Sequence, residues 1–244
     1  MNASSWTWVR GYKWRLLLLG MVSLLMISPI RVVYDQQDNL ITPLTAVVFI
    51  AVIFGTAERK KTTWALTAFT LVWLVISIAT EGSGLFSGPN PGQSLLAPVL
   101  FMVLLIAIFT LLARWMIRVV HINTEVLCAA ICGYFLLGIL WTDLYAIVKT
   151  VDIRIHPNGP APFVSTTASE ITLGDLLYFS YTTLTTTGFG DIIPRAPMVR
   201  MLAVMEAIVG VFYNTIVIAR FVGLYGLKVQ GPASLSVGEK NVSE

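Results

Sequence analysis

Six apolar segments approach or reach the roughly 20 residues that an α-helix needs to cross the hydrocarbon core of a bilayer. They run near 14–33, 40–57, 63–80, 95–117, 124–148 and 198–226, the first being the weakest because Pro29 and Arg31 interrupt it. Inside hydrocarbon an open segment must bond its own backbone polar groups, so runs of this length commit the chain to helices. Of the 244 residues, 56% are hydrophobic and only 12% charged, with a mean hydropathy of +0.79. Soluble proteins carry about a quarter charged residues, so most of this surface has to face lipid or other apolar helices. The net charge of +3 is small. Its basic residues sit at the ends of apolar runs, where membrane topology accounts for them and no nucleic-acid partner is implied.

Charge also orients the segments. Arg10, Lys13 and Arg15 precede the first run, and no small-residue cleavage pattern follows it, so it reads as a retained span with Trp6, Trp8 and Trp14 as interfacial anchors. The cluster Glu58-Arg59-Lys60-Lys61 belongs on the cytoplasmic side. The 81–93 linker has no Lys or Arg and belongs outside. Arg114 and Arg118 return the end of the fourth span to the inside. Both termini are then cytoplasmic, and the connection between the fifth and sixth spans faces outward. Cys128 and Cys132 share a helix face without the ligand set of a zinc site and read as packing residues.

That outward connection holds the string Thr185-Thr186-Thr187-Gly188-Phe189-Gly190-Asp191, placed just before the last long apolar run. Two glycines flanking one aromatic residue permit φ values that Cβ-bearing residues resist. Backbone of that kind turns successive carbonyl oxygens toward one axis, where rings of them replace a cation's hydration shell. The string resembles the selectivity filter of potassium channels, whose usual form is Thr-Val-Gly-Tyr-Gly-Asp; this chain has Thr187 for Val and Phe189 for Tyr. Ahead of it, Thr172-Leu173-Gly174-Asp175 has capping-box spacing, and Leu173 to about Thr185 reads as a short helix. It is too short to span, which suits a re-entrant element buried in protein, with its carbonyl end directed toward the middle of the membrane.

The resemblance implies an all-α membrane protein of six transmembrane helices, with a re-entrant pore helix and selectivity filter between the fifth and sixth. It also implies the ion-coordinating positions: Thr186, Thr187, Gly188, Phe189 and Gly190, holding potassium, with no other cofactor. Asp191 braces the outer mouth, and Tyr178 and Phe179 occupy the places of the aromatic pair that grips the filter in many relatives. In the sixth span Gly210 sits at the distance of the family's hinge glycine, with close helix packing as the competing account. If Gly210 faces the pore, Asn214 lines the cavity below the filter and Ile218 follows. Glu206 is the one acid well inside an apolar span, either bracing the pore helix near Tyr181 or Thr182 or titrating as part of a gate. Arg220 can snorkel to the cytoplasmic surface. Asp143 reads as interfacial.

A steep voltage response needs several basic residues in the fourth span, whereas 95–117 has only Arg114. The expectation is therefore a potassium-selective homotetramer in the plasma membrane with little intrinsic voltage sensing. A nonselective cation channel of the same fold is the alternative. A six-span membrane enzyme is a distant one, because His121 and His156 lie outside the spans, and a potassium-uptake subunit would carry four filter repeats rather than one. The chain divides into a peripheral domain and linker (1–122), a pore domain (123–227) and a short polar tail (228–244). The 149–171 loop reads as a long irregular turret. Phe189 lacks the hydroxyl with which tyrosine anchors the filter, which predicts slow inactivation. Phe189→Tyr is expected to slow current decay during sustained opening, measured on macroscopic currents.

Overall fold

A computed structural model describes residues 14–15, 17–23, 50, 60–80, 95–119, 124–166 and 170–229, with backbone alone for 60–62, 78–80 and 224–229. The expected second span and the expected tail lie almost wholly outside these residues. Five helices and one small ribbon organise the described chain. Helix α1 covers Lys60–Thr80, α2 Leu96–Arg118 and α3 Thr124–Ile155. Strand β1 (Phe163–Ser165), the short helix α4 (Leu173–Leu184), strand β2 (Ile192–Pro194) and helix α5 (Pro197–Val229) follow. Residues 14–15 and 17–23 are also helical.

Three of these helices are long and apolar enough to cross a membrane: Leu96–Arg118, Thr124–Ile155 and Pro197–Gly223. They match the fourth, fifth and sixth expected spans, and the chain is a helical membrane protein. Helix α1 contains a shorter apolar stretch, Thr63–Ser77. Helix α3 starts with Glu125 in its first turn, where a negative charge favours the positive end of the helix dipole. Helix α5 starts at Pro197, a residue that suits the first helical position because its missing N–H would have had no partner there.

Two apolar cores hold the helices together. In the first, Trp14, Leu17 and Met21 pack with Leu104, Leu105, Ile108 and Leu112 of α2 and with Ala129, Cys132 and Leu136 of α3. Trp14 is therefore not an interfacial anchor: it is fully buried, with its ring centroid 4.8 Å from that of Trp115. Its backbone N–H donates to Glu125 and Arg15 pairs with the same carboxylate at 3.0 Å, tying the first helical segment to the start of α3. Cys128 and Cys132 are free thiols, and Cys132 is buried in this core, a packing role. The second core sets Trp141 and Tyr145 of α3 against Phe163, Leu176, Phe179, Ile192 and Val199, clamping α4 among α3, the ribbon and α5.

The expected irregular turret is more ordered than its composition suggested. Helix α3 runs on to Ile155, and β1 pairs antiparallel with β2, Val164 opposite Ile193. The sequence signal was weak because three-residue strands show almost no alternation. Asp143 is buried, not interfacial, and its Oδ2 has no hydrogen-bond partner among the described residues.

Arg220 bonds the end of a neighbouring helix. Its Nη2 donates to the carbonyls of Met116, Ile117 and Val119 at 2.7, 2.8 and 2.8 Å. These oxygens end α2, where helical backbone acceptors have no partner of their own and a cation is favoured by the helix dipole. One guanidinium thus fastens the far part of α5 to the end of α2. Hydrogen bonds to charged groups contribute about 1.5–3 kcal/mol. Arg220→Ala is expected to lower the thermal midpoint of the detergent-solubilised protein by several degrees, with Arg220→Lys recovering only part of the loss, as read by fluorescence-detected melting.

Candidate functional site

The 185–191 string begins where α4 ends, and α4 begins where its cap dictates. The Thr172 hydroxyl accepts from the Asp175 N–H at 3.2 Å while Asp175 Oδ2 accepts from the Thr172 N–H at 2.8 Å, a complete capping box. At the other end, the last carbonyls of a helix normally lack partners. Here each is satisfied by a different donor. The Tyr181 carbonyl accepts from the Thr185 N–H and hydroxyl, and that of Thr183 from the Thr186 N–H. The Thr182 carbonyl takes the N–H groups of both Thr187 and Gly188, at 2.8 and 3.1 Å. Leu184 accepts from the Tyr134 hydroxyl of α3 at 3.1 Å. Thr182 thus supports the string through its main chain.

Beyond this turn the backbone alternates in hand. Thr186, Gly188 and Gly190 have φ of +58°, +52° and +79°, while Thr187 and Phe189 do not adopt positive φ. Alternating left- and right-handed residues sends successive N–H groups to one side and carbonyls to the other. The N–H side faces the pore-helix end, as the two bonds to Thr182 show. Among the described residues, no carbonyl oxygen from Thr186 to Gly190 accepts a hydrogen bond within the chain. All five residues are exposed, Phe189 at 70%, and a Cβ on Gly188 or Gly190 would meet nothing within 4 Å. For a β-branched residue, positive φ is an outlier that only a determined environment sustains. Thr186 therefore carries strain that no sequence pattern announces.

Thr187, the departure from the usual valine, has a definite role in the geometry. The hydroxyl of Thr185 lies 2.7 Å from the Tyr181 carbonyl, which cannot donate, so the only hydroxyl hydrogen of Thr185 goes there. The 2.9 Å contact between the Thr185 and Thr187 hydroxyls then has Thr187 as donor. A relay runs from Thr187 through Thr185 to α4. The Phe189 ring stacks on that of Tyr178, centroids 6.3 Å apart and planes within 3°, and Tyr178 also interacts with Asp191. Asp191 bonds the next backbone N–H through Oδ1 and, through its carbonyl, the N–H of Thr166 after β1. Phe179 turns the other way, into an edge-to-face cluster with Tyr145 and Phe163.

The expected residues of α5 are placed as follows. Gly210 is buried against the end of α4, where any Cβ would collide with the Leu184 carbonyl oxygen. It faces the short helix, which matches the close-packing account of this glycine. Asn214 is exposed and interacts with the Tyr134 hydroxyl, and Ile218 is exposed. Glu206 is fully buried and bonds α4, but through Ser180 at 2.6 Å, with Tyr145 of α3 on its other oxygen at 2.6 Å. Tyr181 instead donates to the Phe135 carbonyl. Ser180 and Tyr145 were missed because partners 26 and 61 residues away carry no local signal. No group of three or more metal-ligating side chains occurs among the described residues.

Residues 125–225, which comprise α3 to α5 and the string between them, match the family model described as "Ion channel". Over these residues the chain is similar to an ion-channel domain. The matched region has α3 and α5 as its two long helices and α4 as its short one, and the unbonded carbonyls lie between α4 and α5. No curated protein and no solved structure matches the chain. Thr187→Val removes the relay to Thr185 while preserving shape. It is expected to speed current decay several-fold, consistent with about 1 kcal/mol for a lost hydrogen bond, measured as the time constant during sustained opening.

Proposed function

We propose that the protein is a potassium-selective channel subunit that conducts K+ passively through a homotetrameric pore. The observation that carries this reading is the run of five exposed residues, Thr186 to Gly190, whose carbonyls have no hydrogen-bond donor among the described residues. Irregular backbone at membrane depth is tolerated only where it is buried in protein or lines a water-filled path. A single subunit supplies one such run. Four copies about a closed symmetry axis supply a ring, which dehydrated cations then occupy. The hydroxyl and carbonyl of Thr186 form the inner mouth, followed by Thr187, Gly188, Phe189 and Gly190, with Asp191 and Tyr178 behind the outer mouth.

Helix α5 supports the same assembly. Met198, Met201, Val204, Met205, Ile208 and Phe212 are all exposed in the lone chain, on more than one face of the helix. A membrane helix so sparsely covered has room for contact with neighbouring subunits on one side and a pore on another. Intact Gly188-Phe189-Gly190-Asp191 favours potassium over a nonselective pore. In α2, Arg114 and Arg118 lie only at one end, which favours weak voltage sensing. The expected six spans, plasma-membrane location and cytoplasmic termini complete the reading.

Purified protein reconstituted in a planar bilayer, with potassium on one side and sodium on the other, is expected to show a reversal potential near the potassium equilibrium value. A reversal near zero would replace potassium selectivity with general cation permeation.

A further inference from the structure

Glu206 reaches from α5 into a completely buried position between α3 and α4. Its Oε1 is 2.6 Å from the Ser180 hydroxyl, and its Oε2 is 2.6 Å from the Tyr145 hydroxyl. The Ser180 hydroxyl is also 2.9 Å from the carbonyl oxygen of Gly138. A carbonyl has no hydrogen to give, so that contact uses the only hydroxyl hydrogen serine has. Only lone pairs of Ser180 then remain to face Oε1. Two oxygens without a hydrogen between them do not settle at such a separation, so the hydrogen on this contact comes from the glutamate. Tyr145 donates to Oε2. Every hydrogen is then used once, in a relay from Tyr145 to Glu206 to Ser180 to Gly138 that closes on α3 after passing through α5 and α4.

We propose that Glu206 is held as a neutral carboxylic acid, and that its proton positions the pore helix by donating to Ser180. This rests on reading α4 and residues 185–191 as pore helix and filter. The surroundings favour the neutral form. The titratable groups facing Glu206 are all tyrosines, Tyr134 and Tyr145 of α3 and Tyr181 of α4. Among the described residues no Lys, Arg or His pairs with it, and an isolated buried carboxylate is strongly disfavoured. If the proton is lost, Ser180 must turn its hydrogen to the carboxylate and release Gly138, which removes one of the three hydrogen bonds joining α4 to α3 and leaves an unneutralised charge behind the filter. Glu206 touches no permeant ion on this view. It is a positioning residue whose effect is proton-linked.

The test uses the full chain in lipid, by two readouts. Glu206→Gln keeps a donor for Ser180 and an acceptor for Tyr145 but has no proton to lose. Wild type and Glu206→Gln are expected to conduct alike at neutral pH, with the same reversal potential. On raising pH, wild-type open probability is expected to fall by up to about tenfold per pH unit beyond the titration point, while Glu206→Gln stays flat. The infrared spectrum supplies the second readout: a protonated-carboxyl stretch in wild type that disappears in Glu206→Gln. Should that variant fail to assemble, Tyr145→Phe, which removes the hydrogen on Oε2 alone, must shift the same band; Asp143 would be unmoved by either change. Matching pH profiles for wild type and Glu206→Gln overturn the proposal, as does a protonated-carboxyl region that neither variant alters. Absence of all current sinks the pore reading alone, because the infrared band still reports whether Glu206 holds its proton.

Discussion

A carbonyl oxygen inside a bilayer must find a hydrogen, a cation or water, because hydrocarbon offers it none. The region between α3 and α5 is arranged around this constraint. The last turn of α4 meets it internally: its four carbonyls accept from Thr185, Thr186, Thr187, Gly188 and Tyr134. The next five residues do not. The amides of Thr186, Thr187 and Gly188 turn back to bond α4, while no described group donates to the five carbonyls, so their demand for partners passes to something outside the chain. The capping box, the aromatic core around Tyr145 and Phe179, and the β1–β2 ribbon hold both ends of that strained segment while its middle stays unbonded.

The legible parts of this design were those written in local order. Apolar run length located α2, α3 and α5, and the Thr172–Asp175 spacing located the start of α4 within one residue. Glycine at 188 and 190 marked two of the three left-handed residues. The third, Thr186, was illegible because threonine avoids that region, and only the network around it makes it tolerable. Long-range partners were equally hidden. Arg220 lies more than 100 residues from the carbonyls it serves, and nothing about a lone arginine near a helix end distinguishes capping a neighbour from reaching for a headgroup. Trp14 likewise has the composition of an interfacial anchor and the placement of a core residue.

Side chains that look conservative in sequence have distinct duties here. Three consecutive threonines do three things: Thr185 ties back to Tyr181, Thr187 ties to Thr185, and Thr186 takes the strained backbone. Two neighbouring aromatics diverge, Tyr178 lying over Phe189 and Phe179 entering the core. Consecutive residues on a helix point about 100° apart, so a pair read from sequence as one unit is divided between two environments by geometry alone.

Gly210 joins these themes. Its α-carbon lies so close to the Leu184 carbonyl that no larger residue fits, and the same carbonyl is held by Tyr134. Bending α5 at this glycine cannot leave α4 where it is. The point of closest approach on α5 is also the shelf on which the short helix carrying residues 185–191 rests. In mechanical terms α4 and α5 share one bearing, and neither can move there without the other.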